Sequence, residues 1–91
     1  TLDAVEELKQ QGYFVYSIEQ VEGSENMAKI SLDVSKRYAV VLGNEVKGVE
    51  QAVVNASDSC LEIPQLGTKH SLNVSVTAGI VVWEFAKQLV L

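Results

Sequence analysis

The sequence predicts an α/β fold in which a parallel sheet is flanked by helices. Short apolar segments alternate with amphipathic ones, and residues 38–42 form a continuous apolar run of the kind found in buried parallel strands. Two apolar segments are followed by polar loops that contain glycine, and open α/β sheets bind small ligands at such places. With 91 residues, 47 % of them apolar and 21 % charged, the chain is one small packed domain or part of a larger one.

The first third of the chain is predicted to contain a helix and a strand. Thr1 is a suitable N-cap for a helix over residues 1–11, and Gly12 is a suitable stop. The aromatic and β-branched residues 13–18 favour a strand. The helix would place three apolar residues on one face, and these are Leu2, Val5 and Leu8.

The middle third is predicted to lead through a polar connection into a buried strand and a second helix. Residues 19–29 are polar with a Gly-Ser turn, and residues 30–34 favour a short extended piece or a turn. Strand 38–42 follows, and an amphipathic helix begins after the loop of residues 43–48. The apolar face of that helix would consist of Val49, Ala52, Val53 and Ala56.

The last third is predicted to contain a strand, a second polar loop and a long helix. Residues 57–59 break the second helix, residues 60–63 favour a strand, and Pro64 opens the loop. The valines of residues 71–91 alone would favour strands, but the length of this segment and its apolar spacing favour a helix. The residues that follow this spacing are Leu72, Val76, Ile80 and Trp83.

Charge and hydropathy exclude several classes of protein. No apolar run reaches the roughly 18 residues that a membrane span needs, and the first residues do not resemble a signal peptide. The net charge of −5 argues against nucleic-acid binding by this segment alone, because phosphate contacts need Lys and Arg. Since Lys47 and Lys69 fall within the two polar loops, we expect a local positive rim there.

The single cysteine and the single histidine are both interpreted as non-catalytic. Cys60 lies among apolar residues, so we expect a buried structural thiol and a cytoplasmic protein. His70 has no nearby acid placed to orient its imidazole, and we interpret it as a loop residue near the substrate. No cluster of residues has the spacing of metal ligands, so no metal is expected.

The first loop reads Leu42-Gly-Asn-Glu-Val-Lys-Gly48 and the second Ile63-Pro-Gln-Leu-Gly-Thr-Lys-His-Ser-Leu-Asn-Val-Ser-Val76. The Gly-x4-Gly spacing of the first is not a phosphate-binding P-loop, because Val49 and Glu50 follow where Lys and Ser or Thr are required. Together the two loops resemble motifs 2 and 3 of the SpoU/TrmH family of RNA ribose 2′-O-methyltransferases, in the SPOUT superfamily. The sequence departs from the family at Val46, commonly Gly, and at Glu50, often Ser.

The resemblance implies a SPOUT-type fold with a C-terminal trefoil knot, one of the rare exceptions to the rule against knots. It implies methyl transfer from S-adenosylmethionine to the ribose 2′-hydroxyl of tRNA or rRNA, and a homodimer. Trp83, Phe85 and Leu89 are then interpreted as core or dimer contacts rather than platforms for base stacking. The cofactor-binding residues implied are Leu42, Gly43, Ile63, Gly67 and Leu72, and the catalytic residues are Ser71, Asn73 and Glu45.

Motif 1 of the family, Asn-x-Gly-Ala-x-x-Arg-Thr-Ala, does not occur in residues 1–37. The role of its arginine is not assigned to Arg37, which stands outside that context. Residues 1–91 are therefore expected to be the C-terminal part of a catalytic domain, and weakly active or inactive alone. Two alternatives stay open, namely a catalytically inactive SPOUT-like dimerisation or RNA-associated module, and a small α/β nucleotide binder of another family.

Overall fold

A computed structural model describes residues 2–43, 49–63 and 74–91. The strands are β1 (Tyr13–Ile18), β2 (Glu25–Asn26), β3 (Arg37–Val41) and β4 (Ser59–Glu62). The helices are α1 (Leu2–Gln10), α2 (Gln51–Ala56) and α3 (Val74–Leu89), with a short 3-10 helix at Met27–Lys29. All predicted helices and strands are present within about two residues of the expected bounds wherever the structure describes them.

The four strands form one parallel sheet in the order β2-β4-β1-β3. β1 is therefore central and has β3 on one side and β4 on the other. In the register of the sheet, Ser17 of β1 lies opposite both Val41 of β3 and Cys60 of β4. This confirms the predicted parallel sheet flanked by helices, whereas the predicted knot involves residues outside those described.

Helices cover both faces of the sheet and divide the core into two clusters. On one face α1 and α2 pack through Val5 and Val53 onto Val15. On the other face α3 packs over an aromatic cluster, where the Phe85 ring meets the rings of Tyr16 and Tyr38 edge-on at 6.1 and 5.9 Å. Alternate residues of β1 thus serve opposite faces, as the pleat of a strand requires.

Within the described residues, the sequence interpretation missed strand β2 and the 3-10 helix that follows it. The two residues of β2 follow the turn at Gly23, whose φ of +85° favours glycine. They pair with Leu61 and Glu62 of β4, so β2 is the outermost strand on that side of the sheet. The segment 30–34, predicted as a short extended piece or a turn, contains a turn in which the Asp33 carboxylate accepts from the Ser35 amide at 2.8 Å.

The predicted helix of the last segment is confirmed over Val74–Leu89, but Ile80 and Trp83, two of the residues that suggested it, do not face the sheet. Ile80 and Trp83 remain 37 % and 60 % exposed, whereas Val81 and Phe85 are buried. Trp83 is therefore not a core contact within this chain. No helix within residues 2–43, 49–63 and 74–91 is both long and apolar enough to cross a membrane.

Candidate active site

The carboxyl ends of β3, β1 and β4 meet at one edge of the sheet. Leu42 and Gly43 directly follow β3, and Ile63 directly follows β4. Because the central β1 separates them, two strand spacings of about 4.8 Å place these segments roughly 10 Å apart. The structure thus brings three of the five predicted cofactor-binding residues to the same edge, within reach of one adenosine-sized ligand.

The three residues at these positions are partly exposed. Gly43 and Ile63 are both half-buried, and Leu42 is 36 % exposed. The Ile63 side chain packs against the aromatic cluster under α3, as does Leu61 two residues earlier. Ile63 therefore continues the alternation of β4, which turns its side chain into the core.

Five other predicted site residues lie outside the described part of the chain. This applies to the three predicted catalytic residues and to two predicted cofactor-binding ones, and their roles stay predictions. The same holds for His70 and for the two loop lysines. These residues are Glu45, Ser71, Asn73, Gly67, Leu72, His70, Lys47 and Lys69.

Glu19 is a polar residue of this edge that the sequence interpretation assigned only to a connecting segment. It follows β1 directly, and its amide donates to the Leu61 carbonyl at 3.0 Å. Its carboxylate accepts from the Val49 amide at 2.9 Å and from the Gln20 amide at 3.3 Å. The available signal was its place as the first charged residue after a buried strand, at the edge where ligands bind.

Helix α2 is fixed to the sheet by hydrogen bonds near its C-terminal end. The Asp58 amide donates to the Val15 carbonyl at 2.9 Å, and the Asp58 carboxylate accepts from the Val15 amide at 2.8 Å. The Ser57 hydroxyl donates to the Val53 carbonyl at 2.8 Å, so the buried Ser17 hydroxyl is the donor in its 2.5 Å contact with the Ser57 oxygen. These bonds hold the C-terminal end of α2 against β1. The N-terminal end of α2 is therefore the end that lies near the candidate site.

Cys60 lies on β4 close to this edge, and its thiol is buried. Burial raises the pKa of the Cys60 thiol above its ordinary value, and the negative charge of Glu19 adds to the rise. The expected burial of the thiol is confirmed, and its structural, non-nucleophilic role stays a prediction that the raised pKa supports. In the described parts of the chain, no group of three or more His, Cys, Asp and Glu side chains is placed to bind a metal ion.

The arrangement defines a class of protein: a parallel α/β domain with a candidate ligand site where the chain leaves three adjacent strands. The family model described as SpoU rRNA Methylase matches residues 1–83. The chain belongs to this family.

Relatives and solved structures of the same kind match nearly the whole chain. A tRNA (guanosine(18)-2′-O)-methyltransferase of Thermus thermophilus is 35 % identical over 89 % of this chain. One of Mus musculus is 32 % identical over 99 % of it. The crystal structure of the Aquifex aeolicus TrmH/SpoU tRNA modifying enzyme superposes with a TM-score of 0.82 at 32 % identity, covering 96 % of this chain.

The AdoMet-bound rRNA methyltransferase from Sinorhizobium meliloti superposes with a TM-score of 0.83 at 27 % identity, over 100 % of this chain and 34 % of that one. The chain thus corresponds to a part of these proteins. It spans 41 % of the Thermus enzyme, 43 % of the Aquifex chain and 6 % of the mouse protein.

Proposed function

We propose that the protein containing this chain transfers a methyl group from S-adenosylmethionine to the ribose 2′-hydroxyl of tRNA or rRNA. The observation that supports this most directly is the meeting of Gly43 and Ile63 at one edge of the sheet, on either side of β1. Membership of the SpoU rRNA Methylase family and the names of the relatives point to the same reaction.

The backbone of this edge is suited to an adenosyl group. Main-chain amides and carbonyls at Gly43 and Ile63 supply fixed donors and acceptors for adenine, and the absence of a side chain at Gly43 lets the ligand approach closely. The sulfonium of the cofactor provides the methyl group and a good leaving group. The task left to the protein is to align the ribose oxygen with the methyl group and to assist the loss of its proton.

The residues proposed for that task are Ser71, Asn73 and Glu45. Hydroxyl and amide side chains suit the positioning of a ribose by hydrogen bonds, although neither is a strong base. We propose that residues 1–91 are the C-terminal part of the catalytic domain and that motif 1, with the arginine tied to activation of the 2′-hydroxyl, lies outside them. On this proposal the segment alone is weakly active or inactive.

We also propose that the protein is a homodimer that acts in the cytoplasm. Ile80 and Trp83 lie one turn apart on the outward side of α3, where a large aromatic ring that is 60 % exposed is unusual for a monomer surface. With a net charge of −5, this segment has too few cations for an RNA backbone. The rest of the protein or a second subunit would supply the additional basic surface.

Calorimetry with S-adenosylhomocysteine on the full-length protein tests the proposal. We expect binding, and we expect Leu72→Arg to abolish it because a charged side chain would occupy the proposed adenine site. Val34→Arg, a matched change at a residue that is 74 % exposed in the turn before β3, should bind as the wild type does. No binding by the wild-type protein would favour the inactive module instead.

The reaction itself is tested by mapping methylated riboses in RNA from cells that lack the gene. A site that loses its methyl group in these cells, and regains it with the wild-type protein but not with Asn73→Ala, identifies the substrate. Unchanged methylation at every tRNA and rRNA position would contradict the proposed activity.

A further inference from the structure

Glu19 is a half-buried residue that contacts two segments at the carboxyl ends of the strands, and these segments lie far apart in the sequence. Glu19 ends the central strand, between the strands that lead to Gly43 and to Ile63. Its Oε2 atom accepts from the Val49 amide at 2.9 Å, which is a contact across 30 residues. Val49 is the first described residue after Gly43, so the bond fixes the place where the chain returns from the first proposed cofactor segment.

The Val49 amide lies just before helix α2, and in the described part of the chain its acceptor is the Glu19 carboxylate. The N-cap residue Glu50 makes no side-chain capping bond, and the amides before the first turn of a helix have no acceptor within the helix. The Val49 side chain packs against the cluster formed by Val5, Val15 and Val53. The core thus holds the side chain of Val49, and Glu19 fixes its main chain with a charge-assisted hydrogen bond.

The amide of Glu19 joins it to the other side of the site. That amide donates to the Leu61 carbonyl at 3.0 Å, two residues before Ile63. One residue therefore ties the end of β1 to both neighbouring segments, through its main chain to β4 and through its side chain to the chain following β3.

We propose that Glu19 is a positioning residue for the cofactor: it sets the separation between the Gly43 and Ile63 segments and so controls the affinity for S-adenosylmethionine. This inference rests on the proposed methyltransferase function. Glu19 acts through Val49 and not on the reacting atoms. Its loss should therefore raise the dissociation constant of the cofactor and leave turnover at saturating cofactor and RNA almost unchanged.

Two variants of similar length separate the hydrogen bond from the space that the side chain fills. Glu19→Gln keeps an oxygen that accepts from the Val49 amide, whereas Glu19→Met has none. In calorimetry with S-adenosylhomocysteine on the full-length protein, we expect Glu19→Met to weaken binding about tenfold and Glu19→Gln at most about threefold. Glu22→Met, the same change at an exposed glutamate of the same connection, should bind as the wild type does.

Hydrogen exchange at the Val49 amide provides a readout that does not depend on the cofactor. We expect exchange to accelerate in Glu19→Met, but not in Glu22→Met, and turnover at saturation to stay within about twofold. Unchanged binding in Glu19→Met would overturn the inference, and so would its failure to fold or a fall in turnover without a change in affinity. If the wild-type protein does not bind S-adenosylhomocysteine, the proposed function fails first and the inference fails with it.

Discussion

Helix α3 has two apolar sides that differ in what they contact. The inner side places Val81 and Phe85 against the sheet, where each is less than a tenth exposed. The outer side presents Ile80 and Trp83, which are 37 % and 60 % exposed. A helix needs one apolar side to cover a sheet, so the inner side is accounted for by the fold of a single chain.

The outer side calls for another explanation, because a continuous exposed apolar strip on a helix is typical of a surface that associates. Val76 precedes Ile80 by one turn on the same side and is 46 % exposed. Helix α3 thus combines two tasks, packing onto the sheet with one side and, by our proposal, pairing with a second subunit through the other. Substitutions on the two sides should therefore have effects of different kinds.

The largest expected effect is on the inner side. Phe85→Ala should lower the free energy of unfolding by about 3–5 kcal/mol, because it removes a buried ring and leaves a cavity. The loss includes the edge-on contacts of that ring with Tyr16 and Tyr38. Denaturation in urea measures it, and a cost below about 1 kcal/mol would show that the inner side does not support the fold.

On the outer side, Trp83→Glu should separate association from folding. We expect the free energy of unfolding of the monomer to change by no more than about 0.5 kcal/mol, since the side chain is mostly exposed. If Trp83 lies in the dimer interface, the dissociation constant of the dimer should rise at least about thirtyfold.

Sedimentation velocity over a range of concentrations measures that dissociation. Val34→Glu is the matched control, because Val34 is 74 % exposed and lies in the turn before β3, outside the exposed apolar side of α3. A Trp83→Glu protein that dimerises like the wild type would remove this side of α3 from the interface.

Gln88 extends the comparison to the polar contacts of the inner side. Its Nε2 donates to the Ile30 carbonyl at 3.1 Å, and its Oε1 accepts from the Leu32 amide at 2.7 Å, so one side chain pairs with two backbone groups of the connection before β3. Gln88→Leu leaves both groups without this partner and should cost about 1–3 kcal/mol. Lys87→Leu, next to it on the outer side, should change stability by less than about 0.5 kcal/mol, since the Lys87 side chain, which pairs with Glu84, is 51 % exposed. Equal costs measured in urea for the two variants would contradict the distinction between the sides.

The same contrast explains how much could be predicted from the sequence. β1 and the later strands were recognised because their runs of aromatic and β-branched residues are bounded by glycine or polar residues. The two-residue β2 is too short to show a periodicity in the sequence. It forms because Glu25 and Asn26 pair with Leu61 and Glu62 on the outer side of β4. The side of α3 that faces the sheet was not predictable from spacing, because both sides are apolar and only tertiary packing decides between them.

For the candidate site, the sequence correctly predicted Gly43 and Ile63 at the carboxyl ends of two strands, and in the structure these strands flank β1. It did so because loops after parallel strands converge wherever the strand order brings them together. Glu19 was missed because its role depends on a contact with Val49, 30 residues away. No local pattern encodes a hydrogen bond of that range.

The smallest expected effect concerns the stability of the packing between α3 and the sheet at alkaline pH. Burial raises the pKa of Tyr16 from 10.0 to about 12, and the charge of Glu25 adds to the rise. The unfolded chain therefore releases a proton above pH 10 that the folded chain keeps. The contribution of Tyr16 to the free energy of unfolding is fully present below that pH and is lost as the pH rises toward 12.

The variant Tyr16→Phe keeps the ring that contacts Phe85 and removes the hydroxyl, so its urea midpoint should fall less steeply than that of the wild type over this range. Cys60, whose pKa burial also raises, leaves a residual dependence in that variant. Identical slopes for Tyr16→Phe and the wild type would mean that the hydroxyl is as well solvated in the folded chain as in the unfolded one, and the inner side would then impose no desolvation on Tyr16.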